Sequence, residues 1–445
     1  MPRALFAHAF GQSYVLPVPF WLYTFGAVAA LFLSFAVIGY LSGARPSAPS
    51  LGRDITSWRI IRFLRSRIVV FLAKALTLFL FLLTILSGFI GENSSLVNIN
   101  MTLFWIVFLL GMTYVSALFG TIWDTINPLR LIYRWYAGAR QSIRKYPEKL
   151  GIWPALAAYV VLIWLELVGR SSPLSLSIAL SIYAVWTFLG AWIFGEEAWF
   201  ARAEFFSVFF GIIARMAPIA IRDGTVRLRS PFVGLLESSA QGMSELWFVL
   251  FMIASTSFDG FQDTLPMLRL YLQGFKIVPS YDFFRTACLF LSPVIFFLLY
   301  GFCIWLAKRM ARSTLALKEL MQRYAYTLVP IALAYNVAHY YTLLLVQGQH
   351  IFHLISDPLG YGWNIFGTAG FAINIGIVQA GFIWHSQVIA LLIGHIAGVY
   401  LAHDVSMRIF ESKKKALLSE LPMLALMMAF TVIGLWILAQ PLVTG

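Results

Sequence analysis

Charge is what this chain has least of. Lys, Arg, Asp and Glu together make up 11% of it, against about 25% in soluble domains. A water-facing surface cannot be built over its whole length from so little. Cysteine is nearly missing too. Cys288 and Cys303 are the two present. Both fall in one apolar run with no loop cysteine to pair with, which disfavours a structural disulfide, redox chemistry and thiolate metal sites. The sequence has no G-x-S-x-G elbow, no H-E-x-x-H pair and no glycine-rich phosphate loop. A classical serine hydrolase and a zincin are thereby disfavoured. C-x-x-C-H is absent as well, which leaves only paired histidines for haem. Nothing resembles a nucleic-acid-binding module. The formal net charge of +13 sits mostly in short loops, where the positive-inside bias and contact with anionic lipid account for it.

What the chain does have is apolar length. It is 60% hydrophobic, with a mean hydropathy of +0.81, and a bilayer core takes about 20 apolar residues per helical span. The expected fold is all-α: a polytopic integral membrane helix bundle, one transmembrane domain over 1–445, with about ten spans plus interfacial or re-entrant helices. The spans are expected at 20–41, 69–90, 101–122, 153–168, 174–194, 245–258, 284–307, 324–346, 376–402 and 423–438. The first is too long for a signal-peptide core and reads as retained.

The basic stretches 42–67, 123–150 and 308–323 read as cytoplasmic, the second with an amphipathic interfacial helix, and 347–375 as an outer loop. Both termini then lie outside. The run 205–221 is apolar but carries Arg215 and Pro218. It reads as interfacial or re-entrant, because a further crossing there would put 308–323 outside. No repeat relates the two halves.

Ionisable groups at membrane depth are costly and therefore candidates for function. On this topology Glu166, Asp259, Asp263, His339, His350, His353, Asp357 and His385 gather toward the outer side. Histidine and carboxylate are ligands for Zn, Mn, Fe and Co. His339, His350, His353, Asp357 and His385 are the candidate ligands of a divalent metal. His350, His353 and Asp357 share a helical face by spacing; a wet interfacial turn would show the same string.

His339 stands in Asn336-Val337-Ala338-His339-Tyr340-Tyr341, a polar cluster that lines a cavity or bonds helices together. Asp259 and Asp263, four apart, suit ligation, base catalysis or helix capping. His395 lies near mid-membrane. His403 is two helical turns on, about 12 Å, too far to share a metal but suited to a polar channel. His403-Asp404 otherwise reads as an interfacial cap. Glu196, Glu197 and Glu204 are expected to pair with Arg202 and Arg215.

Several longer strings carry a resemblance: Asn127-Pro128-Leu129-Arg130, Trp164-Leu165-Glu166-Leu167-Val168, Gly195-Glu196-Glu197-Ala198-Trp199-Phe200-Ala201-Arg202, Ser257-Phe258-Asp259-Gly260, Leu328-Val329-Pro330-Ile331-Ala332, Ala338-His339-Tyr340, Gly394-His395-Ile396-Ala397-Gly398-Val399 and Leu401-Ala402-His403-Asp404. From about residue 17 to 438 the chain resembles a family of bacterial integral membrane proteins commonly labelled fenitrothion hydrolase. The resemblance implies a bacterial inner-membrane protein that hydrolyses an apolar organophosphate, an aryl dialkyl phosphorothioate triester. It brings no catalytic set with it.

The residues themselves suit metal-assisted attack by water at an outer-leaflet site. Asp259, Asp263, His339, His385 and His395 are the catalytic candidates, and Glu166 is a candidate to buttress a ligand histidine. The implied partners are the lipid bilayer and an apolar small-molecule substrate. The other readings are a small-molecule or ion transporter and a non-catalytic membrane subunit with a protein partner.

Overall fold

The computed structural model describes residues 18–41, 52–138, 142–169, 171–222, 224–275 and 278–440. The expected placement of the two termini, and residues 42–51 of the first basic loop, lie outside the described residues. In chain order the principal helices are α1 (Phe20–Leu41), α2 (Arg67–Ile90), α3 (Ile99–Phe119), α4 (Pro128–Ala137), α5 (Trp153–Leu167), α6 (Pro173–Phe194), α7 (Glu196–Arg202) and α8 (Phe205–Ala214). They continue with α9 (Met243–Gln262), α10 (Tyr281–Met310), α11 (Val329–Val346), α12 (Ala380–Ile409) and α13 (Lys413–Leu438). Three short strands, β1 (Arg53–Asp54), β2 (Ile219–Arg222) and β3 (Thr225–Leu228), form one antiparallel sheet in the order β1-β3-β2.

Local chemistry sets the ends. Ser66 caps α2 by accepting from the Val69 amide, and Asn127 caps α4 by accepting from the amides of Leu129 and Arg130, with Pro128 in the first turn. Ser172 and Ser175 form a reciprocal box at the start of α6. Gly120 ends α3 at φ 81°. A Cβ there would lie 2.4 Å from the Ile219 carbonyl oxygen, so only glycine fits. Within α3 the stretch Thr102–Leu110 winds as a π-helix.

Among the described residues nine helical segments are long and apolar enough to cross a membrane. The chain is a polytopic membrane helix bundle. The expected tenth crossing, 245–258, corresponds to α9, which is not one of the nine. It runs on to Gln262, so Asp259 lies inside a helix. Leu246 and every residue from Phe248 to Thr256 in α9 are buried, the pattern of a helix enclosed by protein rather than by lipid. The basic run Lys413–Lys415 forms the first turn of α13.

The run 205–221 divides. α8 has ten residues, about 15 Å, or half a bilayer core, and is buried along most of its length. The chain then leaves as β2, with Ile219 opposite Leu228. The fold is all-α as expected, and this short hairpin is a local addition to it. Its signal was present in Asp223-Gly224 between alternating residues.

The chain packs as two compact units, one from the described residues of 1–50, 232–341 and 378–445, the other from those of 51–231 and 342–377. In the first, α13 packs against α1, α9, α10 and α12. Gly394 and Gly398 of α12 lie along a close seam. A Cβ at Gly394 would lie 2.3 Å from the Ala334 Cβ and 2.7 Å from the Pro330 carbonyl oxygen, the close approach that small residues allow in membranes.

In the second unit α8 packs on α3, α5 and α7, and α2 on α6. Glu204 caps α8 fully buried, accepting from the amides of Phe206 and Ser207, the Ser207 hydroxyl, Asn127 Nδ2 and the Tyr183 hydroxyl. Glu196 pairs with Arg130 and Arg134, and Glu197 with Arg130. Glu196 and Glu197 do form ion pairs, with Arg130 and Arg134, whereas Glu204 is held by uncharged donors. The chain folds back after α4, so bonding partners far apart in sequence are set by packing.

Candidate functional site

One carboxylate and one histidine of the candidate set are brought into contact. Asp259 lies one turn before the end of α9, and His339 lies on α11. His339 Nε2 is 2.9 Å from Asp259 Oδ2, and both side chains are about nine-tenths buried. The Tyr340 hydroxyl donates to the same oxygen at 2.5 Å. Gln262 Nε2 donates to Asp259 Oδ1 at 2.8 Å, and Arg285 of α10 donates to Gln262 Oε1 at 2.6 Å. Both carboxylate oxygens of this buried Asp259 thus have hydrogen-bond partners.

A carboxylate only accepts. Facing an ionised Asp259, His339 donates from Nε2, and Nδ1 is then the nitrogen with the lone pair. That ring edge faces the α9 backbone: a Cβ at Gly260 would lie 3.5 Å from His339 Cε1 and 3.6 Å from Nδ1. Gly260 and His339 line a cavity of about 20 Å³, along with Ser257, Tyr335, Ala338 and Leu391. The space holds about one water molecule. The Ser257 hydroxyl is buried and has no hydrogen-bond partner among the described residues. A carboxylate-held histidine, an idle hydroxyl and room for a water meet at one point. The arrangement can take a proton from that water.

The remaining candidates go elsewhere. His385 lies exposed near the start of α12, with Nδ1 on the Gly381 carbonyl oxygen at 2.7 Å and Nε2 3.5 Å from the Tyr23 hydroxyl. His395 is fully buried at mid-α12, its Nδ1 on the Leu391 carbonyl oxygen at 2.8 Å. Asp263 follows the end of α9.

His350, His353, Asp357 and Glu166 belong to the other unit. The rings of His350 and His353 do share a face, stacked at 5.3 Å. Their nitrogens bond to backbone, His350 Nε2 to Leu96 O at 2.6 Å and His353 Nδ1 to Ala369 O at 2.5 Å. Asp357 accepts from the amides of Tyr361 and Gly362, so it closes a turn. Among the described residues no three His, Cys, Asp or Glu side chains form a group that would hold a metal ion.

Sequence reasoning missed Gln262, Arg285 and Ser257. Gln262 was findable, since it stands three residues after Asp259 and so shares its helical face. Arg285 was not, because it arrives from a separate helix. No protein-family model, no curated protein and no solved structure matches the chain.

Proposed function

We propose that the protein is a membrane-embedded hydrolase of apolar phosphotriesters, with His339 as general base and Asp259 as its orienting partner. The observation that carries this reading is the Asp259–His339–Tyr340 cluster beside a water-sized cavity. The resemblance to the fenitrothion hydrolase family supports the substrate class, as does the lipid solubility of such esters. In the step, His339 Nδ1 takes a proton from water, the hydroxide oxygen bonds to phosphorus, and the aryl oxide leaves with the electron pair of its P–O bond. Asp259 stabilises the imidazolium that forms, and the Tyr340 hydroxyl, donating to Oδ2, holds the carboxylate in place. Ser257 holds the water. The cavity admits water and not a triester, so the ester must reach it by parting the surrounding helices. A divalent ion at this site would have His339 and Asp259 as protein donors.

The test is turnover of an aryl dialkyl phosphorothioate by the detergent-purified protein, followed by phenolate release, with metal content measured on the same sample. Wild type is expected to turn over, and His339→Ala to lose at least about 10²-fold at unchanged membrane abundance. A well-folded wild type without turnover would overturn the reading. Ser257→Ala is expected to cost about tenfold in kcat, the equivalent of one hydrogen bond to bound water at ~1.4 kcal/mol. An unchanged rate would remove Ser257 from the site.

A further inference from the structure

We propose that the first unit also carries protons along α12, through His395 and the His403–Glu420 pair. This inference does not rest on the hydrolase reading. His403 Nδ1 lies 3.1 Å from both carboxylate oxygens of Glu420 on α13. The two side chains are 5% and 3% exposed, inside helices long and apolar enough to cross a membrane. Burying a histidine and a carboxylate together inside such helices is costly, and membrane proteins build proton relays from groups of this kind.

Orphaned atoms mark the route. With Nδ1 donating to Glu420, His403 Nε2 carries the lone pair. With Nδ1 donating to the Leu391 carbonyl, His395 Nε2 does too. Both nitrogens are buried and have no hydrogen-bond partner among the described residues. Buried acceptors of this kind call for water or a proton. His395 stands one turn past Leu391, which lines the water-sized cavity, and its ring is 6.0 Å from that of Tyr335, which lines it as well. His403 follows two turns on, about 12 Å along the helix.

Around the far pair, the Tyr324 hydroxyl lies 2.7 Å from Ser406 Oγ and 3.5 Å from Ser419 Oγ. Next to His403, Asp404 pairs with Arg408 at 2.6 Å. The chain of groups thus runs from the cavity toward the end of α12 that carries Arg408. The step is a simple transfer. A hydronium gives its proton to His403 Nε2 and leaves as water. The imidazolium is balanced by the Glu420 carboxylate; a water then takes the proton from His403 on to His395 Nε2, and a water at the cavity takes it from there, leaving both rings neutral.

The test is proton flux into liposomes holding the purified full chain and a trapped pH-sensitive dye, driven by a potassium diffusion potential. Wild type is expected to exceed protein-free liposomes at least tenfold, Glu420→Gln to fall to the protein-free level, and Glu420→Asp to keep flux. Glu420→Gln is expected to keep phosphotriester turnover, which separates this inference from the hydrolase reading. Wild-type flux at the protein-free level overturns it, and so does undiminished flux in Glu420→Gln. Should that variant not accumulate, wild type alone decides. A lipid-soluble carbodiimide is expected to label the Glu420 peptide and stop the flux; complete labelling with full flux overturns the proposal.

Discussion

Replacing Asp259 by asparagine is expected to lower phosphotriester turnover by about 10⁴-fold, the loss typical when a base histidine is forced into its wrong tautomer. The protein is expected to stay in the membrane at wild-type abundance. Asn conserves shape and still offers one acceptor and one donor group. Gln262 Nε2 already donates to Oδ1, so the asparagine carbonyl settles there and its NH2 turns toward His339 and Tyr340. His339 Nε2 then has to accept, its hydrogen moves to Nδ1, and the nitrogen facing Gly260 is no longer a base. Turnover numbers for the two purified proteins, matched for folded fraction, check this. An Asp259→Asn rate within about twofold of wild type would remove Asp259 and the tautomer argument together.

The second large effect is on folding. Gly394→Leu is expected to destabilise the first unit by about 3 kcal/mol or more, the upper range for overpacking, and to abolish accumulation in the membrane. The obstruction at Gly394 is the Ala334 Cβ at 2.3 Å and the Pro330 backbone carbonyl at 2.7 Å. Neither can swing aside as a flexible side-chain tip would. Gly26 on α1 is the control, since a Cβ there meets nothing within 4 Å, and Gly26→Leu is expected to accumulate normally. Thermal unfolding in detergent and immunoblots of membranes read both variants. Equal stability of the two would mean that α11 and α12 do not meet along this seam.

How far each feature was legible follows from where its cause lies. The spans at 20–41 and 174–194 emerge as α1 and α6 almost to the residue, because a bilayer demands length and apolarity, both local properties. The buried helix α9 was harder. Its Glu245 and Asp259 break the apolar run, and only its neighbours explain the rest. Glu245 receives the Tyr326 hydroxyl, and Asp259 receives His339 and Tyr340.

The string His350-x-x-His353-x-x-x-Asp357 shows the opposite case. Its spacing did set two imidazoles face to face, yet the backbone of another segment took their nitrogens. His403 and Glu420 carried no mutual signal, since the turn between α12 and α13 decides that they meet.

By itself the sequence determined a membrane-spanning helical chain with ionisable groups held at depth, because hydropathy and charge are summed over neighbours along the chain. Which of those groups share a proton, and which merely close a turn, was decided by tertiary structure alone. A hydrogen bond needs its partners within about 3 Å, and residues as far apart in sequence as Asp259 and His339 reach that distance only when their helices pack.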